Sequence, residues 1–143
     1  MTAFRRFFSL SGADRRLLVE AWWRLVAAAI RLRFAPERAV ATALADSRPH
    51  PPRGGEPIAA EDVALATSRA AAHHLRAMTC LPRSLALRTM LARRGISSRL
   101  RIGVRKESGT VAAHAWIEVD GRPVGEPAAI EERFLPLVAS EKA

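Results

Sequence analysis

Cysteine is almost absent from this sequence, because the 143 residues contain only Cys80. A single thiol cannot form an intrachain disulfide, and it cannot supply the paired thiolates of a structural zinc site. We therefore predict no disulfide and no structural metal site. We also expect no cofactor and no metal among the site residues. Free thiols are typical of reducing compartments, so the cysteine usage favours a cytoplasmic location.

Long uncharged apolar runs are also missing. Residues 22–34 are largely apolar, but three arginines interrupt them, whereas a membrane-spanning helix needs about 20 consecutive apolar residues. Residues 1–8 lack the apolar segment and the small-residue cleavage site of a signal peptide. The sequence therefore predicts no integral membrane segment.

Acidic residues are few in comparison with basic ones. The chain has 14 Asp and Glu against 23 Lys and Arg, which gives a net charge of +9. Such a charge attracts polyanions and acidic partners, but the basic residues are dispersed and accompany no nucleic-acid-binding motif. We predict a solvated basic surface and no nucleic-acid partner, while a non-catalytic basic interaction module is one alternative reading of the chain.

The distribution of apolar residues and of proline predicts one globular unit with three parts. Residues 1–45 form an N-terminal helical region, with one amphipathic helix over residues 14–33 and a second over residues 36–44. Residues 46–59 form a loop rich in proline and glycine. Residues 60–143 complete the core.

Within residues 60–143 the spacing of the apolar residues changes from that of a helix to that of a strand. Helical patterns cover residues 60–78, with Leu75 or Ala77 facing the core near its end, and residues 81–94, where Gly95 ends the second helix. Alternating residues then predict a β-hairpin, and Asp120-Gly121 predicts a tight turn into a short strand that ends near residue 126. The fold class is α+β, with N-terminal helices packed on a small antiparallel sheet.

Cys80 is the first candidate for chemistry because it lies at the N-terminal edge of a predicted helix. Unpaired backbone N–H groups at such an edge favour the thiolate, which is the nucleophilic form of cysteine. The N–H groups of Cys80 and Leu81 are the natural stabilisers of an oxyanion. The alternative is that a lone cysteine is simply a small buried apolar residue.

His114 is the second candidate, since the strand places it on a face with Ala112, Trp116 and Glu118 rather than on the aliphatic face. It follows Cys80 by 34 residues, and a helix-borne cysteine before a strand-borne histidine is an order used in Cys-His catalysis. We assign no catalytic role to the other histidines: a Pro-rich stretch contains one, and the predicted end of a helix contains the other two.

A third group should orient the imidazole, and the nearby carboxylates are Glu118, Asp120 and Glu126. A three-residue loop over residues 119–121 would set His114 opposite Glu126 on the same face. A two-residue Asp-Gly turn would instead pair His114 with Pro127 and send Glu126 to the opposite face. We favour Glu126 as the third member, with Asp120 as the alternative.

Two motifs, separated by a helix and a strand, resemble the transglutaminase-like maturation protease of lasso-peptide biosynthesis. They are Cys80-Leu81-Pro82-Arg83-Ser84 and His114-Ala115-Trp116-Ile117-Glu118-Val119-Asp120-Gly121. The resemblance implies a transglutaminase-like, papain-like cysteine protease fold with its catalytic core in residues 60–143. It also implies that Cys80 is the nucleophile, His114 the base and Glu126 the third member, where the family more often has aspartate.

The reaction implied by this resemblance is hydrolysis of one peptide bond. It would remove the leader from a leader-core precursor peptide before a separate ATP-dependent cyclase closes the macrolactam ring. The chain is similar to the stand-alone form of the family, so a separate small leader-recognition protein is an implied partner, and the cyclase is another. The rival enzymatic reading is a different Cys-His acyl-transfer reaction on the same fold.

Overall fold

The computed structural model describes residues 3–45, 58–127 and 129–137 of the chain. Most of the predicted proline- and glycine-rich loop, residues 46–57, lies outside the described residues. The described part contains helices and four strands in the order α1 (Ala3–Phe8), α2 (Gly12–Phe34), α3 (Pro36–Leu44), α4 (Ala60–Ala72), α5 (Cys80–Arg93), β1 (Arg99–Glu107), β2 (Thr110–Val119), β3 (Arg122–Val124), α6 (Ile130–Arg133) and β4 (Leu135–Pro136).

The four strands form one antiparallel sheet in the order β3-β2-β1-β4. The α5 helix lies on one face of this sheet, and α2 packs across α4 and α5. The predicted α+β class is confirmed. The α2 helix reaches the sheet mainly through these two helices, whereas α3 contacts β1 directly.

Alternation along β2 separates two apolar clusters, one on each face of the sheet. Ala115 and Ile117 belong to the main core with the helices, where the most completely buried aliphatic side chains include Leu25, Val63 and Met90. On the opposite face Trp116 packs with Ile130 and Phe134 in a smaller cluster. The predicted division of β2 into two faces is therefore confirmed for the residues around His114.

The predicted turn register between β2 and β3 is wrong. Val119 pairs with Arg122 and Ile117 with Val124, so the turn has two residues rather than three. Asp120 and Gly121 have φ of 51° and 74°, as both central positions of a type I′ turn require. This turn prevails because its twist matches that of the flanking strands.

The end of α4 also differs from the prediction. The helix ends at Ala72 rather than near residue 78, and the C-cap His73 leaves the helical conformation with φ of −108° and ψ of 17°. His74 takes the next inward position and stacks on Trp22, with ring centroids 4.8 Å apart. Leu75, predicted as a core residue, is 88% exposed because the chain has already turned away, and Ala77 is exposed as well.

Short elements near the C-terminus were not predicted. The α6 helix has four residues and β4 has two, so neither is long enough to show a periodic pattern. They matter because Phe134, between them, packs beside His114. Among the described residues, no helix combines the length and the apolar character needed to cross a membrane.

Glu20 joins α2 to the end of α5. Its carboxylate accepts hydrogen bonds of 2.6 and 3.3 Å from Arg94 and lies 3.5 Å from the Nε of Arg93. Burial alone would raise the pKa of Glu20, but the hydrogen bond and positive charge of Arg94 hold this pKa below its usual value. The ionised form is therefore the one that stabilises the fold.

Replacing Glu20 with glutamine is expected to lower the free energy of unfolding at pH 7 by about 1–2 kcal/mol. Because the folded-state pKa is lowered, the stabilisation is complete above the ordinary carboxyl value of 4.5 and is lost as the pH falls through the lower folded-state value. Urea unfolding of both proteins from pH 7 to pH 3 should show their difference shrinking. Glu132→Gln, at an exposed site, is the control, and a constant difference would contradict the prediction.

Candidate active site

Cys80 is the first residue of α5, with Thr79 as the N-cap. Its thiol is free and partly exposed. The N–H groups of Cys80 and Leu81 precede the first helical hydrogen bonds, and Thr79 makes no side-chain capping bond. Pro82 follows and has no N–H to donate, so the backbone donors at this end of the helix are concentrated around the thiol.

Ser84 ties the start of α5 to β2. Its buried hydroxyl donates a 3.0 Å hydrogen bond to the carbonyl of Ala115. Ser84 is one turn after Cys80 on the same side of the helix, and Ala115 directly follows His114. The bond therefore fixes the cysteine end of the helix against the histidine segment of the strand.

Aromatic rings surround His114 on the face of the sheet opposite α5. The imidazole lies 6.1 Å from the Trp116 ring in a stacked arrangement and 5.2 Å from the Phe134 ring. Gly103 is the cross-strand partner of His114, and a Cβ there would lie only 2.7 Å from the Cβ of Phe134. The absence of a side chain at Gly103 thus lets Phe134 approach the imidazole.

Glu118 is one of the three carboxylates considered from the sequence, and it is engaged elsewhere. It is buried, accepts a 2.9 Å hydrogen bond from the Nε of Arg101 and a 3.4 Å one from the indole N–H of Trp116. Burial alone would raise the pKa of Glu118, but the hydrogen bonds from Arg101, Glu131 and Trp116 and the charge of Arg101 together outweigh burial and lower this pKa. Glu118 therefore holds Trp116 in place beside His114.

Glu126 lies beside His114 despite the incorrect register prediction. Its Oε1 is 3.1 Å from the Nε2 of His114, and both side chains are largely shielded, at 18% and 23% exposure. Nε2 is buried, and its orientation towards Glu126 does not have the geometry of a hydrogen bond. The contact is therefore a close approach of carboxylate and imidazole. Because Nε2 faces Glu126, Nδ1 is the ring nitrogen left for another partner.

Gly125 explains how Glu126 reaches the imidazole. The ladder with β2 ends at Val124, and Gly125 then adopts a left-handed conformation with φ of 69°. Its N–H donates a 3.3 Å hydrogen bond to Glu61 on α4. The chain thus leaves the strand path before Glu126, so strand parity no longer fixes the direction of that side chain.

A small cavity of about 20 Å³ brings Cys80 and Glu126 together, since both line it along with Ser84, whereas His114 is not among the residues that line it. The structure therefore connects the thiol to the carboxylate through this cavity and the carboxylate to His114 by direct approach. Asp120 is exposed in the turn. Within the described ranges, no group of three His, Cys, Asp or Glu side chains is placed to hold a metal ion.

Replacing Gly125 with alanine is expected to displace Glu126 from His114. An L-residue with positive φ costs about 1–2 kcal/mol, and the new Cβ would lie 2.9 Å from the Cβ of Ala64. We expect a lower melting temperature and, for any activity that uses His114, a loss of about tenfold or more. Gly109→Ala is the control, because it has φ of 82° but nothing within 4 Å of the added Cβ; equal losses of activity in the two variants would contradict the positioning role.

The fold is that of an α+β protein of transglutaminase-like architecture, and comparison with protein families agrees with it. Residues 21–139 match the model of the transglutaminase-like superfamily, and the chain belongs to this superfamily. Its members are often cysteine proteases or transglutaminases. Neither a curated protein nor a solved structure matches the chain significantly.

Proposed function

We propose that the protein is a cysteine peptidase in which Cys80 is the nucleophile, His114 the general base and Glu126 the group that orients the imidazole. The observation that carries the proposal is the 3.1 Å approach of Glu126 to His114, on a strand that Ser84 binds to the helix bearing Cys80. Membership of a superfamily rich in cysteine acyl-transfer enzymes supports it.

The proposed reaction uses the two ring nitrogens of His114 differently. Nδ1 accepts the proton of the Cys80 thiol, while Glu126 at Nε2 favours the resulting imidazolium. The thiolate attacks the peptide carbonyl carbon, and the backbone N–H groups of Cys80 and Leu81 stabilise the oxyanion. The imidazolium then gives its proton to the leaving amine, and water, deprotonated by His114, hydrolyses the thioester and regenerates the thiol.

The proposed substrate is the leader-core precursor of a lasso peptide, and the cleaved bond joins leader to core. The Cys80 and His114 sequence motifs support this finer assignment. The cavity beside Cys80 has about 20 Å³, which is room for little more than one water molecule. An extended peptide lying across the surface suits such a site better than a ligand that needs a deep pocket. The reaction would take place in the cytoplasm, where the single thiol stays reduced.

The proposed partners are a separate small leader-recognition protein and the ATP-dependent cyclase. Support comes from an exposed apolar stripe on α2, in which Val19, Trp23, Ile30 and Phe34 are 47%, 62%, 53% and 80% exposed. These positions lie on one side of the helix, away from the core residues of the same helix. Trp22, by contrast, is partly buried against His74.

Product analysis tests the proposed function. The protein is incubated with a leader-core precursor, with and without the leader-recognition protein, and the products are analysed by mass spectrometry. The expected result is two fragments whose masses sum to that of the precursor plus one water. With an amine present, a product that carries the amine and little hydrolysis would instead favour the rival acyl-transfer reaction; an unchanged precursor under all conditions would contradict both.

Replacing Glu126 with glutamine is expected to lower kcat/KM for precursor cleavage by about 10²–10⁴-fold, because the amide no longer favours the imidazolium. Asp120→Asn is the matched control, since asparagine tolerates the left-handed φ of 51° at the turn. We expect this control to retain full activity. If Asp120→Asn is the more damaging change, Asp120 rather than Glu126 is the third member.

A further inference from the structure

A second and larger cavity lies between α2, α3 and α5, away from Cys80. Its volume is about 370 Å³, and four arginines line it: Arg31 from α2, Arg38 from α3, and Arg88 and Arg93 from α5. None of the described residues that line it is acidic. The α5 helix rises by about 12 Å between Cys80 and Arg88, so this cavity is separate from the candidate active site.

The arginines of the cavity differ in what they bind. Arg88 is buried and donates to the carbonyls of Thr42 and Ala45, and Arg93 lies near Glu20. Arg31 and Arg38 are exposed, and within the described ranges no hydrogen bond or ion pair engages the side chain of either. These two guanidinium groups therefore remain available for an anionic ligand.

The charge around the cavity is only partly neutralised, because Glu20 pairs with Arg93 and Arg94 while none of the described lining residues is acidic. Burial, followed by the like charge of Arg93, lowers the pKa of Arg24, and Arg31 and Arg94 contribute in the same direction despite the opposing effect of Glu20. A ligand that brings carboxylates to this region relieves repulsion among the guanidinium groups. The cavity is thus electrostatically complementary to an acidic partner.

The apolar residues that line the cavity indicate which class of ligand it can bind. Ala39, Leu85 and Ala92 are among the apolar residues that line it, and they offer a surface for an aliphatic side chain. None of the described lining residues is aromatic, whereas proteins that bind single-stranded nucleic acid stack bases on aromatic rings. The combination favours a polypeptide with one aliphatic anchor between carboxylates.

We propose that the arginine-lined cavity between α2, α3 and α5 binds an acidic amphipathic segment of a polypeptide partner. The guanidinium groups of Arg31 and Arg38 pair with carboxylates at the rim, while an aliphatic side chain enters between Ala39 and Leu85. This proposal does not rest on the proposed peptidase activity, since it concerns binding at residues outside the candidate active site.

Fluorescence anisotropy with the full chain tests the proposal, using Cys80→Ala so that the peptide is not consumed. The probe is a labelled peptide of about twelve residues with one central leucine between glutamates. We expect saturable binding that is lost at about 0.5 M NaCl and weakened about tenfold or more by the double variant Arg31→Gln/Arg38→Gln. Replacing the leucine of the probe with serine should also weaken binding.

The matched control is the double variant Arg16→Gln/Arg122→Gln, which removes the same charge from exposed sites outside the cavity. It should change the affinity less than about twofold. Arg38→Gln alone serves if the double variant has a lowered melting temperature. Equal weakening by the cavity and control variants would overturn the proposal, and so would tighter binding at the same arginines of a single-stranded oligonucleotide of equal charge.

Discussion

Replacing Cys80 with alanine is expected to abolish precursor cleavage, with a loss of about 10⁵-fold or more in kcat. Without the thiol no thioester forms, and neither His114 nor the backbone N–H groups can replace the covalent step. Residual activity should equal the background of the precursor alone. The measurement is single-turnover cleavage followed by mass spectrometry, with the leader-recognition protein present in both reactions.

The single cysteine gives this prediction a clean control. Iodoacetamide should inactivate the wild-type protein with incorporation of one carboxyamidomethyl group, because Cys80 is the only thiol and is partly exposed. The melting temperature of Cys80→Ala should remain close to that of the wild type, since alanine suits the first turn of a helix. Turnover retained by a well-folded Cys80→Ala protein would rule out the proposed nucleophile.

The elements that the sequence predicted well are those whose pattern is local and repeated. The helix that begins at Cys80 ends at Arg93, and Gly95 follows the C-cap with φ of 75°. The N–H of Ile96 bonds to the Leu91 carbonyl, which completes a glycine-dependent cap. Alternation in β2 correctly separated Ala115 and Ile117 from Trp116. Such features depend on residues within a few positions of one another, so one sequence is sufficient to predict them.

The approach of Glu126 to His114 could not be derived correctly from local sequence patterns. The predicted pairing of His114 with Glu126 requires β3 to continue through residue 126, whereas pairing stops at Val124. What redirects the chain is Gly125, held by a long-range hydrogen bond to Glu61 and by its closeness to Ala64 on α4. The glycine before Glu126 was a visible signal of a break, but the helix against which the chain turns is distant in sequence.

The aromatic surroundings of His114 show the same limit. Strand alternation predicts that Trp116 lies on the same face as His114. Phe134 instead lies between α6 and β4, and the pairing of β4 with β1 brings it beside His114. The guanidinium group of Arg105 lies over the Phe134 ring, with its Cζ 4.9 Å from the ring centroid. A helix of four residues and a strand of two have little propensity of their own, so tertiary packing rather than local pattern determines them.

Replacing His114 with alanine is expected to lower kcat for precursor cleavage by about 10³–10⁵-fold, because the thiol loses its base and the leaving amine loses its proton donor. A purely structural role for His114 would also reduce turnover, so a second measurement is needed. The rate of alkylation of Cys80 by iodoacetamide at neutral pH reports directly on activation of the thiol. We expect this rate to fall in His114→Ala at equal melting temperature.

The matched control for this experiment is His73→Ala, which removes an exposed imidazole at the end of α4. Both cleavage and alkylation should be unchanged in it. Glu126→Gln should lie between the two variants, since it leaves the base in place but removes the carboxylate at Nε2. A His114→Ala protein that loses cleavage but alkylates at the wild-type rate would show that His114 acts after thiol activation, and the role of base would then pass to another group.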